Sequence, residues 1–90
     1  MAEIWARVLK EQKIIADILH KSKESDLEKI TREVCEKADI PAPLVLDKHK
    51  RQYSKFSLTK FLTAEFVESV DFDCLVIENV TGRENNKKLK

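Results

Sequence analysis

Ninety residues, 42% of them apolar and 37% charged, describe one small and well-solvated globular domain. Such a chain buries only about 60–65% of its unfolded surface, which leaves little room for a second core. A net charge of +1 excludes a strong overall attraction to nucleic acid or acidic membranes.

The first twenty residues admit two readings. As one helix, Ile4, Trp5, Val8, Leu9, Ile15, Ile18 and Leu19 nearly form a stripe. As two strands, "IWARVLK" and "IIADILH" flank a polar "EQK" connection, which carries no Asn-Gly or similar turn signal. Charged residues from Glu3 to Glu11 interrupt any secretory apolar core, and no apolar run is long enough for a bilayer span. A cytoplasmic location is the expectation.

The segment "SDLEKITREVCEKAD" predicts a helix over 25–38. Ser25 is placed to cap it and Glu28 to complete a capping box. Leu27, Ile30, Val34, Cys35 and Ala38 form the apolar stripe, and Pro41 and Pro43 close the segment. "PLVLDKHKRQYSKF" begins extended at Leu44–Leu46 and then turns helical, with Leu46, Lys50, Tyr53 and Phe56 in a row. "FSLTKFL" alternates as a short strand near 56–62, its face of Phe56, Leu58 and Leu62 interrupted by Lys60. "TAEFVESV" is a helical turn or ordered loop. "VDFDCLVIENV" predicts a buried strand within 72–80, and "TGRENNKKLK" a flexible basic tail over 81–90.

The final strand decides the N-terminus. With a helical residue 1–20 segment it has only 56–62 to pair with, and an isolated two-stranded ribbon is marginal. The hairpin is therefore preferred. It gives an α+β domain over 1–80: an antiparallel sheet of about four strands covered by one or two helices.

"IWARVLK", "CEKADIPAPLVL" followed by "KH", and "FVESVDFDCLVIE" together resemble a family of small uncharacterised bacterial proteins, over about residues 4–78. The resemblance implies no activity and transfers no functional residue. It implies a hairpin turn near Glu11–Lys13, although this chain has no glycine there.

Residues 42–60 hold five Lys or Arg against one Asp, and residues 61–80 hold five acids and no base. Lys48, Lys50, Arg51, Lys55 and Lys60 could meet phosphates, with Tyr53 available to stack. "VCEKADIPAPLVLDKHKR" also imitates a helix-turn-helix, but Ala42, Pro43, Leu46 and Asp47 read base edges poorly. Nucleic acid is thus disfavoured and kept as the alternative.

His20, Cys35, His49 and Cys74 suit a metal chemically but form no close pair along the chain. Both cysteines read as free core thiols in a reducing compartment. Cys35 with His49 could be drawn as nucleophile and base, as any chain with two Cys and two His allows. Asp71 and Asp73 share one strand face and could bind a cation, but read better as its solvent side. No metal, cofactor or enzymatic activity is expected. Partner binding remains: a small open sheet offers edges, and one or two of Trp5, Tyr53, Phe56, Phe61, Phe66 and Phe72 are expected as exposed anchors. An unknown protein partner or a homodimer is the expected ligand of this non-enzymatic module.

Overall fold

The computed structural model describes residues 2–81. The elements run β1 (Ala2–Lys10), β2 (Lys13–Ser22), α1 (Leu27–Ala38), α2 (Asp47–Phe56), β3 (Leu58–Leu62), a 3-10 turn (Thr63–Glu65) and β4 (Cys74–Asn79). All strand pairs are antiparallel, in the order β2-β1-β4-β3. The buried strand β4 therefore finds two neighbours, and β1 is one of them. Residues 2–22 form a hairpin because β4 needs that partner.

The turn that makes the hairpin is built without glycine. Glu11 and Gln12 both lie in the left-handed region, at φ 53° and 68°. Two consecutive residues with positive φ join strands of right-handed twist in a two-residue loop. Asp73 compensates: its carboxylate accepts the Glu11 N–H at 2.7 Å, and Lys10 pairs with Asp71 at 3.1 Å. Asp71 and Asp73 thus hold the approach to β4 against the hairpin tip. Asp39 and Ser57, also at positive φ, end α1 and α2 in the same glycine-free manner.

One sheet face carries both helices. Ile4, Ala6 and Val8 of β1, Leu75 and Ile77 of β4, and Phe61 of β3 meet Leu27, Ile30, Val34 and Cys35 of α1 in the buried core. Phe66 packs edge-on against Phe72 at 5.3 Å between ring centres, extending that core under the 3-10 turn. Pro43 makes an isolated antiparallel bridge with Phe66, so the α1–α2 connection is stitched to the β3–β4 connection. Both cysteines are buried and free.

Several local expectations need correction. Asp26, not Ser25, occupies the N-cap of α1, and its side chain makes no cap hydrogen bond; the helix starts at Leu27. The stripe gains Thr31 as a buried member, while Ala38 is only half-buried. Helix α2 is rotated from the expected row: His49 is fully buried, whereas Phe56 is 62% exposed. On β3 the buried face is Thr59 and Phe61, opposite the apolar face of Leu58 and Leu62. The helix-turn-helix imitation fails, because residues 40–46 separate the helices by an extended connection. Thr81 belongs to the domain, since its hydroxyl accepts the Glu3 N–H at 3.0 Å. The rest of the expected tail lies outside the described residues.

The turn yields a stability prediction. A Cβ in the left-handed region costs about 1–2 kcal/mol, partly offset by the backbone entropy that glycine loses. Gln12→Gly should therefore raise stability by about 0.5–1 kcal/mol, read as a higher urea midpoint at unchanged slope. A lower midpoint would contradict this turn geometry.

Candidate functional site

Two polar constellations stand out, one on each side of the sheet. On the helix-bearing side, α2 presents His49 to the ring of Phe61, 4.3 Å away between ring centres. The Leu46 N–H, orphaned at the start of α2, donates to His49 Nδ1 at 2.9 Å. A backbone amide can only donate, so Nδ1 accepts and the imidazole proton sits on Nε2. That proton points at Glu65 Oε1, 3.1 Å away. Glu65 Oε1 also accepts the Leu62 N–H at 2.8 Å, and its other oxygen pairs with the Lys48 ammonium.

Burial pushes the Glu65 carboxyl up, but Lys48, the Leu62 N–H and His49 together outweigh it and hold the group at about 2. Every polar atom of His49 is thus engaged, and the ring has no exposed edge. The cluster fastens the N-terminus of α2 to the β3–β4 connection. The thiol of Cys35, drawn with His49 from the sequence, is pushed up to about 12 by burial and is a poor nucleophile.

The opposite face carries no helix among the described residues. It is formed by Trp5, Arg7 and Leu9 of β1, Asp17, Leu19 and Lys21 of β2, Cys74, Val76 and Glu78 of β4, and Leu58, Lys60 and Leu62 of β3. A chain of interactions crosses three strands. Trp5 Nε1–H donates to Asp17 at 3.0 Å, the Arg7 guanidinium lies 4.0 Å from the Trp5 ring centre, and Arg7 pairs with Glu78 at 2.8 Å. This cation–π and ion-pair relay fixes the position of the indole on the sheet face. Leu19, opposite Trp5, is about half exposed, as are Ile14 and Leu62 near Leu9 at the other end of this face. Trp5, Asp17, Ile18, Leu19 and Val80 line a shallow hollow at the β1–β2 side.

The basic residues expected as a contact set do not converge. Lys48, Arg51 and Lys55 share one solvent side of α2 by helical spacing, but Lys48 is engaged by Glu65. Lys50 and Tyr53 lie on another flank, where they line a groove with Ser25, Asp26 and Leu27. Tyr53 is half-buried against the core; burial raises its phenol, opposed by a hydrogen bond to Asn79. Lys55 sits over the Phe56 ring, and Lys60 stands on the helix-free sheet face. Phe56 is an exposed aromatic of the expected group, while Phe61, Phe66 and Phe72 are core.

Among the described residues no group of three or more His, Cys, Asp or Glu is arranged to hold a metal ion. His20 instead contacts Glu33 at 3.0 Å, and Ser22 donates to the same oxygen at 2.7 Å. Those hydrogen bonds hold the Glu33 carboxyl below its usual range and tie α1 to β2. No helix among the described residues is long and apolar enough to cross a membrane. The relay of Trp5, Arg7, Asp17 and Glu78 was not singled out from sequence. Its signal lies in the alternation of "EIWARVL", which sets Trp5 and Arg7 opposite Ile4, Ala6 and Val8.

No family model matches the chain, and no curated protein or solved structure matches it either.

The Glu65 cluster predicts a pH dependence. Its carboxyl sits at about 2 when folded against an ordinary value of 4.5, so it stabilises the fold above about pH 4.5. That contribution falls as pH drops from 4.5 to about 2, where the folded-state carboxyl takes up its proton. Glu65→Gln should be less stable than the parent at neutral pH, with the gap narrowing through this window in denaturation midpoints. A gap that stays constant from pH 6 to pH 2 would contradict the cluster, since those limits span about both carboxyl values.

Proposed function

We propose that the protein is a non-enzymatic, cytoplasmic protein-binding module that recognises its partner with the helix-free face and edge of its sheet. The observation that carries this reading is the composition of that face. An indole held by Arg7 and Asp17 lies beside the half-exposed Leu19, and the half-exposed Ile14 and Leu62 stand near Leu9 at the far end of the same face, among a few paired charges. Rigid aromatic and arginine side chains ringed by apolar contacts are the usual anchors of protein interfaces. Beside it, β2 and β3 present sheet edges, which accept further strands. No cofactor is required for such a role. The engagement of His49 and the raised Cys35 thiol support binding over catalysis.

A second reading, weak nucleic-acid binding through residues 48–60, draws on Arg51 and Lys55 on the solvent side of α2. The separation of Lys60 to the opposite sheet face and the engagement of Lys48 weigh against it.

One experiment separates the two. The chain is immobilised beside Leu62→Glu and a Lys50→Glu/Arg51→Glu variant, and nuclease-treated and untreated cell extract is passed over each. The protein-binding reading expects nuclease-resistant proteins retained by the parent and lost on Leu62→Glu. It also expects no affinity tighter than about 10 μM for random DNA or RNA at physiological salt. Submicromolar nucleic-acid binding, steeply salt-dependent and removed by the double reversal, would promote the second reading.

A further inference from the structure

We propose that the outer edge of β2 pairs antiparallel with β2 of a second copy of this chain, joining two sheets across a two-fold axis at Leu19. This deepens the protein-binding reading and rests on it, by naming the occupant of one edge.

Val80 and Asp73 donate to the carbonyls of Glu3 and Leu9, each at 2.8 Å, so odd-numbered residues of β1 turn their polar groups toward β4. The even residues Ile4, Ala6 and Val8 therefore serve β2, where their partners are His20, Ile18 and Ala16. It follows that Asp17, Leu19 and Lys21 turn their N–H and C=O groups outward, to an edge that pairs with no other strand among the described residues. A ladder bonded on one side only is a template for another strand.

Charge then selects both occupant and register. Self-pairing about Asp17 would oppose Asp17 to itself and Lys13 to Lys21. An axis at Ile15 falls on the bulge, where the register jumps from Val8↔Ala16 to Leu9↔Ile14 and leaves Ile15 unpaired. An axis at Ile18 sets Asp17 against Leu19. Within the unbulged residues 16–22, only an axis at Leu19 opposes unlike charges at both ends, Asp17 to Lys21 of the copy and the reverse. The same register matches outward backbone groups with outward backbone groups. It also joins the two Leu19 side chains, 53% exposed in one chain, beside the Trp5 residues with which they pair across β1. A lone edge lysine ordinarily obstructs pairing. Here Asp17 supplies the charge that a second copy needs. On the other sheet face the arrangement brings together two copies of a cleft lined by His20, Lys29, Arg32, Glu33, Glu36 and Lys37, which carries both signs.

Sedimentation of the full chain tests this. The parent should be largely dimeric by about 100 μM, the weak end expected of a small interface, and should dissociate on dilution. Asp17→Lys alone and Lys21→Asp alone each place like charges against each other twice, and each should sediment as monomer. An equimolar mixture of these two variants restores unlike charges at both ends and should regain the dimer. Leu19→Pro removes an N–H that faces outward, so it should keep the hairpin and lose the dimer even if a charge variant misfolds. Three results would each overturn the proposal: a monomeric parent, a dimer indifferent to all three substitutions, or folded variants whose mixture stays monomeric. A monomeric parent that still retained nuclease-resistant proteins through Leu62 would leave the broader binding reading standing.

Discussion

Strand β4 must satisfy hydrogen-bonding groups on both edges, and the rest of the chain is arranged to meet that demand. Its residues pair with β1 from Ile4 to Leu9 on one side and with β3 from Leu58 to Leu62 on the other. Leu75 and Ile77 enter the helix-covered core, while Cys74 and Val76 are buried on the opposite face by neighbouring strands. A strand buried on both faces reads as a continuous apolar run, which is what "CLVI" supplies. The hairpin of β1 and β2 exists to provide one partner, and the approach to β4 in turn holds the hairpin tip through Asp71 and Asp73.

The helix layer is attached by polar as well as apolar contacts. Helix α1 buries five residues and is tied to β2 by Glu33 through His20 and Ser22. Helix α2 buries chiefly His49, an unusual anchor for an amphipathic helix. Its attachment is therefore the hydrogen-bonded sequence from the Leu46 amide through His49 to Glu65, reinforced by Lys48. Leaving one member of such a buried network unpaired costs more than the bond itself contributes, so the four residues act together. The basic charge of Lys48 serves this fastening while its side chain stays on the solvent side of α2.

The α+β class, the four strands and the first helix were legible because apolar periodicity and the pairing demand of β4 agree. The turns were not. Positive-φ positions normally announce themselves with glycine, whereas this chain uses Glu11, Gln12, Asp39 and Ser57. The interior of α2 was hidden for a related reason: His49 counts as polar in any pattern, and only its two bonding partners make it a core residue. On β3, Thr59 is buried where its hydroxyl donates to Gln52 of α2, a contact across the helix–strand turn that apolar periodicity does not register because both residues count as polar. The helix-free face was half visible, since its residues alternate correctly. What joined Trp5 to Asp17 and Arg7 to Glu78 is strand order, which places residues 71 positions apart in contact.

The proposed recognition by the sheet requires that β4 be central and β2 terminal, with every second amide of β2 facing away from the fold. Amide hydrogen exchange in the dilute chain tests that arrangement most directly. The account predicts slow exchange along β4 and at Ala16, Ile18 and His20, with fast exchange at Asp17, Leu19 and Lys21. Uniform protection along β2, or the opposite alternation, would show that this edge is already occupied or differently registered, and would contradict the account.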